Sequence, residues 1–211
     1  MPNRVLAIDL GASGGKAVLG IFTPHGISYK EVYRFSNDPV LLDGKLYWDF
    51  LRLFHEIKNC LRIAQMMGGF DSIGVDTWGV DFGLLGRAGE LLESPVHYRD
   101  RRTFGVMEEV FKLISPEELY KLTGIQRLDI NTIFQLYSIK LKQPDLWQRI
   151  HEVVFLPDLI NYFLTGVKKT EYTIASTSQL MNVRNKYWER EVWISWVLMR
   201  TGLMKSFCPE R

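Results

Sequence analysis

The start of this 211-residue chain constrains its fold more than any other segment. Val5-Leu6-Ala7-Ile8-Asp9-Leu10 is a β-type run carrying a carboxylate near its end. Gly11-Ala12-Ser13-Gly14-Gly15-Lys16 follows as a small-residue turn closed by a cation. Ala17-Val18-Leu19-Gly20-Ile21-Phe22 then leaves as a second β-type run. Strand, turn and strand with no helix between them predict a hairpin. Glycines lack Cβ and tolerate positive φ, so the backbone can approach an anion closely. A carboxylate at a strand end can hold hydrated Mg²⁺, which takes one or two carboxylates plus phosphate oxygens. The order therefore suits a phosphate-and-magnesium site on a β-hairpin. The P-loop pattern fails, because Leu10 falls on its first glycine and Ala17 on its metal-binding hydroxyl. The P-loop and the dinucleotide fingerprint also feed a helix, not a strand. An ordinary glycine hairpin with a surface aspartate remains open on this loop alone.

Composition narrows the class. With 46% hydrophobic and 24% charged residues the chain reads as soluble and globular. Its length suffices to bury a core without disulfides or metals. The net charge is +2, and no Lys/Arg run marks a nucleic-acid groove. No apolar stretch is long enough to span a bilayer, and the start has no signal-peptide pattern. The expectation is a cytoplasmic protein with neither a nucleic-acid nor a membrane partner. Cys60 and Cys208 lie far apart and read as reduced thiols. His25, His55, His97 and His151 are too scattered for a zinc site.

Residues 4–9, 16–23 and 27–35 read as three successive strands, with a turn at Thr23-Pro24-His25-Gly26. Residues 49–67 read as a helix capped by Asp49, with Phe50, Leu53, Phe54, Ile57, Leu61 and Ala64 on one face, ended by Gly68-Gly69. Strands are expected at 71–76 and 81–86, a helix at 101–114, and another from Ser115-Pro116 to Thr123-Gly124. A helix from Asn131 to about Leu141 follows, then a strand at 152–156 and a helix closing at Leu164-Thr165-Gly166. The tail 187–201 carries Trp188, Trp193, Trp196 and Val197, read as core packing, with a docking face as the alternative. Three strands, a helix and a strand is not the order of a doubly wound sheet. The expected class is α/β, a ribonuclease H-like (actin-like ATPase) fold: a mixed sheet with opening antiparallel strands and flanking helices.

Further segments carry a resemblance. They are Asp71-Ser72-Ile73-Gly74-Val75-Asp76-Thr77-Trp78-Gly79-Val80-Asp81-Phe82-Gly83, Tyr98-Arg99-Asp100-Arg101-Arg102-Thr103, Asn131-Thr132-Ile133-Phe134-Gln135-Leu136, Leu156-Pro157-Asp158-Leu159 and Glu171 to Ser178. With the opening loop, this ordered set resembles the FGGY carbohydrate kinases. Asp-Thr-Trp-Gly-Val-Asp and Tyr-Arg-Asp-x-Arg-Thr are similar to the branch acting on L-rhamnulose. The resemblance implies two actin-like domains and transfer of the γ-phosphoryl of MgATP to a ketose hydroxyl, so the partners are a small sugar and ATP. Such chemistry rests on positioning and on spreading charge onto Mg²⁺ and fixed donors.

The resemblance also implies the site. Asp9 would orient Mg²⁺ through water. Gly11, Ala12, Ser13, Gly14, Gly15 and Lys16 would wrap the phosphates; family members usually have Ser and Arg where this chain has Gly14 and Lys16. Trp78, Gly79, Asp81, Asp100 and Arg101 would contact the sugar, with the indole covering the methyl of a deoxysugar. Other readings exist: Trp78 as a core residue, Asp81 as a loop tie, Asp100 as an N-cap. Asp76, which flanks the same turn, reads as a sugar ligand or a loop tie. Thr173, Ser176 and Thr177 are expected to satisfy local backbone.

No aspartate matches the family's catalytic base, which is expected beyond the chain end. Residues 1–211 are thus expected to form one FGGY-type N-terminal domain, incomplete without the C-terminal one. A separate chain supplying that domain and self-association of the uncovered face both follow as expectations. The alternative is a non-catalytic sugar-binding or interaction module retaining the fold. An unrelated actin-like ATPase would lack the Asp76-Thr77-Trp78-Gly79 turn.

Overall fold

In a computed structural model, residues 3–189 and 192 are described. They divide into two compact units, 1–40 with 48–78 and 41–47 with the remainder from 79 onward.

The first unit opens with β1 (Asn3–Leu10), β2 (Gly14–Thr23) and β3 (Gly26–Ser36). Two residues, Pro24 and His25, turn β2 into β3. A second hairpin, β4 (Pro39–Leu42) and β5 (Lys45–Trp48), follows, and its residues 41–47 are grouped with the second unit. Its turn is Asp43-Gly44, with φ of 50° and 75°, as a two-residue hairpin loop of primed type requires. This hairpin is absent from the sequence reading although Asp-Gly between apolar runs announces it.

Helix α1 (Phe50–Met66) begins where Asp49 accepts from the Arg52 N–H at 3.1 Å. Its buried stripe is Phe50, Leu53, Ile57, Cys60 and Ala64, with Phe54 and Leu61 half-buried at its margin. Gly68 and Gly69 follow with positive φ. Arg4 donates to the Met67 and Gly69 carbonyls at 2.8 and 2.7 Å, placing a cation on the helix C-terminus. The chain then enters β6 (Ser72–Asp76), parallel to β1, giving the sheet order β3-β2-β1-β6. Leu6, Ile8 and Leu10 alternate inward beside Ala17 and Leu19, and α1 packs on β1 and β3.

The second unit contains β7 (Phe82–Leu85), α2 (Val106–Phe111), α3 (Pro116–Thr123), α4 (Thr132–Lys142), α5 (Pro144–Arg149), β8 (Glu152–Phe155), α6 (Leu156–Thr165) and α7 (Tyr172–Ser176). β7 pairs with β8 antiparallel and joins a separate two-stranded sheet. The helix expected over 101–114 is broken. Arg101–Thr103 is a single 3-10 turn, and Gly105 at φ 76° starts α2 afresh. Ser115 caps α3 and Gly124 ends it in the left-handed conformation. The core centres on Ile133, Phe134, Leu136 and Ile139 of α4, all fully buried. Trp188 stacks on Phe155 with centroids 6.4 Å apart. Trp193, Trp196 and Val197 lie outside the described residues. No helix among the described residues is long and apolar enough to cross a membrane.

Gly15 shows how the hairpin is packed. A Cβ there would stand 2.6 Å from Phe35 Cε2 and 2.9 Å from Leu10 Cδ2. Gly15→Ala should therefore lower unfolding stability by about 1–3 kcal/mol. Adding Phe35→Leu should recover part of that loss in denaturant titrations. Strictly additive costs would contradict the close approach.

Candidate functional site

In the first unit β1 and β2 pair up to Leu10 and Gly15. The turn between them is closed by the Gly11 N–H donating to the Gly14 carbonyl at 2.8 Å. Asn37, just past β3 and buried, clamps it. Its Nδ2 donates to the Gly11 carbonyl at 3.0 Å, and its backbone N–H donates to the Ser13 carbonyl at 3.2 Å. Ser13 is exposed, Gly11, Ala12, Gly14 and Lys16 are half-buried, and Gly15 is buried.

Asp9 and Lys16 are direct cross-strand partners, with Oδ2 and Nζ 3.0 Å apart. Their side chains are 54% and 42% exposed. An exposed pair of this kind contributes at most about 1 kcal/mol, so a ligand of higher charge can displace it. Across the parallel ladder Asp9 faces Asp76, also exposed. Lys16 lies within β2, so the loop feeds a strand.

Trp78, the last residue of the first unit, packs on the fully buried Trp48, with ring centroids 4.0 Å apart and planes 34° apart. Its ring remains half-buried. Thr77 Oγ1 donates to the Trp78 carbonyl at 2.8 Å.

In the second unit Gly79, Val80 and Asp81 form a strained turn. Val80 has φ 66°, a genuine outlier for a β-branched residue. Its N–H donates to Thr177 Oγ1 at 3.0 Å, and its carbonyl accepts from Thr132 Oγ1 at 2.7 Å. A Cβ on Gly79 would meet the Thr177 side chain at 3.0 Å. Such conformations persist where surrounding bonds over-determine them. Thr177 therefore does more than the local work expected of it. Ser176 and Thr173 stay local, donating to the Thr173 carbonyl and to Glu171.

Asp81 is fully buried, and its carboxylate accepts from the Tyr98 N–H at 3.2 Å and Gln135 Nε2 at 3.1 Å. Gln135 Nε2 also donates to the Ile130 carbonyl at 2.7 Å, while its Oε1 accepts from Arg102 Nη2. Burial pulls the Arg102 guanidinium downward, and Asp81 leads the charges that offset this. Asp100, also buried, accepts from the Leu46 and Arg102 N–H groups, each at 2.8 Å, and so caps the 3-10 turn. Arg101 is exposed.

Of the residues expected to act, Asp9, the 11–16 loop and Trp78 belong to the first unit, and Gly79, Asp81, Asp100 and Arg101 to the second. Asn37, Arg102 and Gln135 were given no role from sequence. Gln135 had a signal, a lone amide in an apolar helical run; Asn37 had none. Among the described residues no three His, Cys, Asp or Glu side chains cluster as a metal site.

The fold is that of sugar kinases with actin-like ATPase architecture. Gluconate kinase and xylulose kinase, both from Lactobacillus acidophilus, superpose with TM-scores of 0.78 and 0.77 at 20% identity, covering 92% and 90% of this chain and 39% of each of theirs. The chain belongs to the FGGY family of carbohydrate kinases, whose N-terminal domain model matches residues 4–204. It is 42% identical over 193 residues to the rhamnulokinase of Bacteroides thetaiotaomicron and 41% over 191 to that of Halalkalibacterium halodurans. These matches cover 91% and 90% of the chain but only 40% and 41% of the relatives' lengths.

Two buried groups of the second unit titrate in opposite senses. Burial pushes His97 down to about 4, and its Nδ1 accepts from the Arg99 N–H at 3.0 Å. Below pH 6.5 the unfolded imidazole takes a proton that the folded one refuses until about 4, so stability is lost as pH falls through that window. Burial raises Asp158 to about 6, so its contribution runs the other way, gained as pH falls from about 6 to 3.8. Each amounts to about 3 kcal/mol at about 1.4 kcal/mol per unit. Asp158→Asn should therefore unmask a steeper loss of stability between pH 7 and pH 4 than the wild type shows. Equal slopes in denaturant titrations would contradict this assignment.

Proposed function

We propose that this chain provides the phosphate-gripping loop and part of the sugar-binding surface of an ATP-dependent ketose kinase, with L-rhamnulose as the favoured substrate. The observation that carries the reading is the Asp9–Lys16 register pair beside the turn of a glycine-rich hairpin. A glycine-rich turn, a cation and a carboxylate stand together there, which supports a phosphate-and-magnesium role. The identity to rhamnulokinases favours rhamnulose over xylulose or gluconate, since the kinases for those sugars share only the fold at about 20% identity.

The donor set fits Mg²⁺, because Asp9 with Asp76 beside it offers the one or two carboxylates that a hydrated ion takes. When bound, Mg²⁺ would neutralise charge on the transferring phosphates. Lys16 would bring positive charge to the phosphate oxygens, Ser13 its hydroxyl, and Gly11, Ala12, Gly14 and Gly15 a backbone that an anion can approach. The half-buried indole of Trp78 would give the deoxysugar an apolar wall, with Gly79 leaving room for a hydroxyl. Exposed Arg101 would contribute a contact to the sugar, while Asp81 and Asp100 hold the turns that carry Gly79 and Arg101. The proton acceptor for the sugar hydroxyl is assigned to sequence that the relatives carry outside the matched part. Without a positioned base, phosphoryl transfer lacks its organising group.

Calorimetric titration with MgATP and with L-rhamnulose tests this. Lys16→Ala should weaken MgATP at least tenfold, and Trp78→Ala should weaken the sugar. The chain alone should show no turnover, and co-expression with the C-terminal part of a rhamnulokinase should restore it. Robust sugar-dependent ADP release by the highly purified chain would contradict the assignment of the base. Sugar binding without any MgATP binding would point instead to a non-catalytic module.

A further inference from the structure

β3 places one more cation beside the loop. Arg34 is the cross-strand partner of Lys16, as Lys16 is of Asp9 and Asp9 of Asp76. Cross-strand partners share a sheet face. One row therefore crosses all four strands, Arg34, Lys16, Asp9 and Asp76, cationic toward β3 and anionic toward β6. At the cationic end a cavity of about 500 Å³ is lined by Ser13, Gly14, Gly15, Arg34, Phe35 and Ser36. Three of these residues belong to the loop itself. Arg52 Nη2 donates to Ser36 Oγ at 3.0 Å and brings another positive charge to the rim.

Arg34 is already half engaged. Its Nε and Nη2 donate to the Glu31 carboxylate at 3.2 and 2.6 Å. That pairing uses one edge of a guanidinium with five N–H donors. The edge formed by Nη1 and Nη2 still has donors for a second acceptor. The pair is exposed, so it adds little to stability. Arg34 holds the Glu31 carboxyl below its usual range, and Lys16 adds to the effect. Both cations therefore act on the same patch of the sheet.

We infer that Arg34 is a second phosphate-binding cation of this site, gripping oxygens of a polyphosphate whose other oxygens meet Lys16. A lysine offers a point charge, whereas a guanidinium adds a planar fork matched to phosphate. The inference rests on the phosphate-site reading of the hairpin and adds a residue to it.

Calorimetry of the chain with inorganic tripolyphosphate and with MgATP, at fixed ionic strength, provides the test. Arg34→Gln should weaken both ligands about tenfold, the scale of one charge-assisted contact. Arg34→Lys should weaken them severalfold, because charge is kept and the fork is lost; it also serves if the glutamine variant fails to fold. Lys30→Gln, the same charge change elsewhere on β3, should stay within twofold of the wild type. If Arg34→Gln binds like the wild type while Lys16→Ala loses tenfold, Arg34 lies outside the site and the loop reading stands. If Lys30→Gln weakens binding as much as Arg34→Gln, the effect is net charge and the inference is overturned. If neither Lys16→Ala nor Arg34→Gln weakens binding, the loop reading falls and this inference with it.

Discussion

The structure of the first unit turns on the closure of one tight bend. The bond from the Gly11 N–H to the Gly14 carbonyl sets the β1–β2 register, and that register sets everything downstream. A slip of one residue would send Asp9 to the face occupied by Leu6, Ile8 and Leu10. The correct register instead keeps carboxylate and ammonium opposite each other and half exposed. Asn37 reinforces it from outside the hairpin by occupying the Gly11 and Ser13 carbonyls. The site's charge is thus arranged by backbone geometry, and no charge has to be buried to achieve it.

The second unit uses the opposite strategy. Its geometry depends on buried polar groups, Asp81, Gln135 and Thr132 among them, each of which must find a partner. Asp81, Gln135 and Arg102 form a relay, and Thr132 and Thr177 hold Val80 in a backbone conformation it would not adopt alone. Strain of this sort costs roughly 1–3 kcal/mol and is retained where a turn must keep one shape. The turn in question carries Gly79, the residue whose lack of a side chain leaves space beside Thr177.

Much of this was legible from sequence because it is written in short-range patterns. The glycine loop between two β-type runs, the i, i+3, i+7 stripe of α1 and its Asp49 cap each depend on neighbours in the chain. The 101–114 segment failed for a local reason as well: Gly105 adopts φ 76°, which a helix interior forbids. The β4–β5 hairpin was missed although Asp43-Gly44 marked it. Other features could not be read locally. Asn37 reaches a loop 26 residues away. The 81–86 strand pairs with one near residue 153 and not with the main sheet. Gln135 becomes meaningful only once Asp81, Arg102 and the Ile130 carbonyl surround it.

The central claim is that the glycine-rich hairpin turn grips a metal-chelated polyphosphate. Amide chemical shifts followed by NMR as MgATP is added to the ¹⁵N-labelled chain test it most directly. The account predicts that the largest changes fall on Gly11 through Lys16 and on Asn37, which is bonded to that turn. Saturating nucleotide that leaves those amides unmoved, or that moves only residues remote from them, would contradict it.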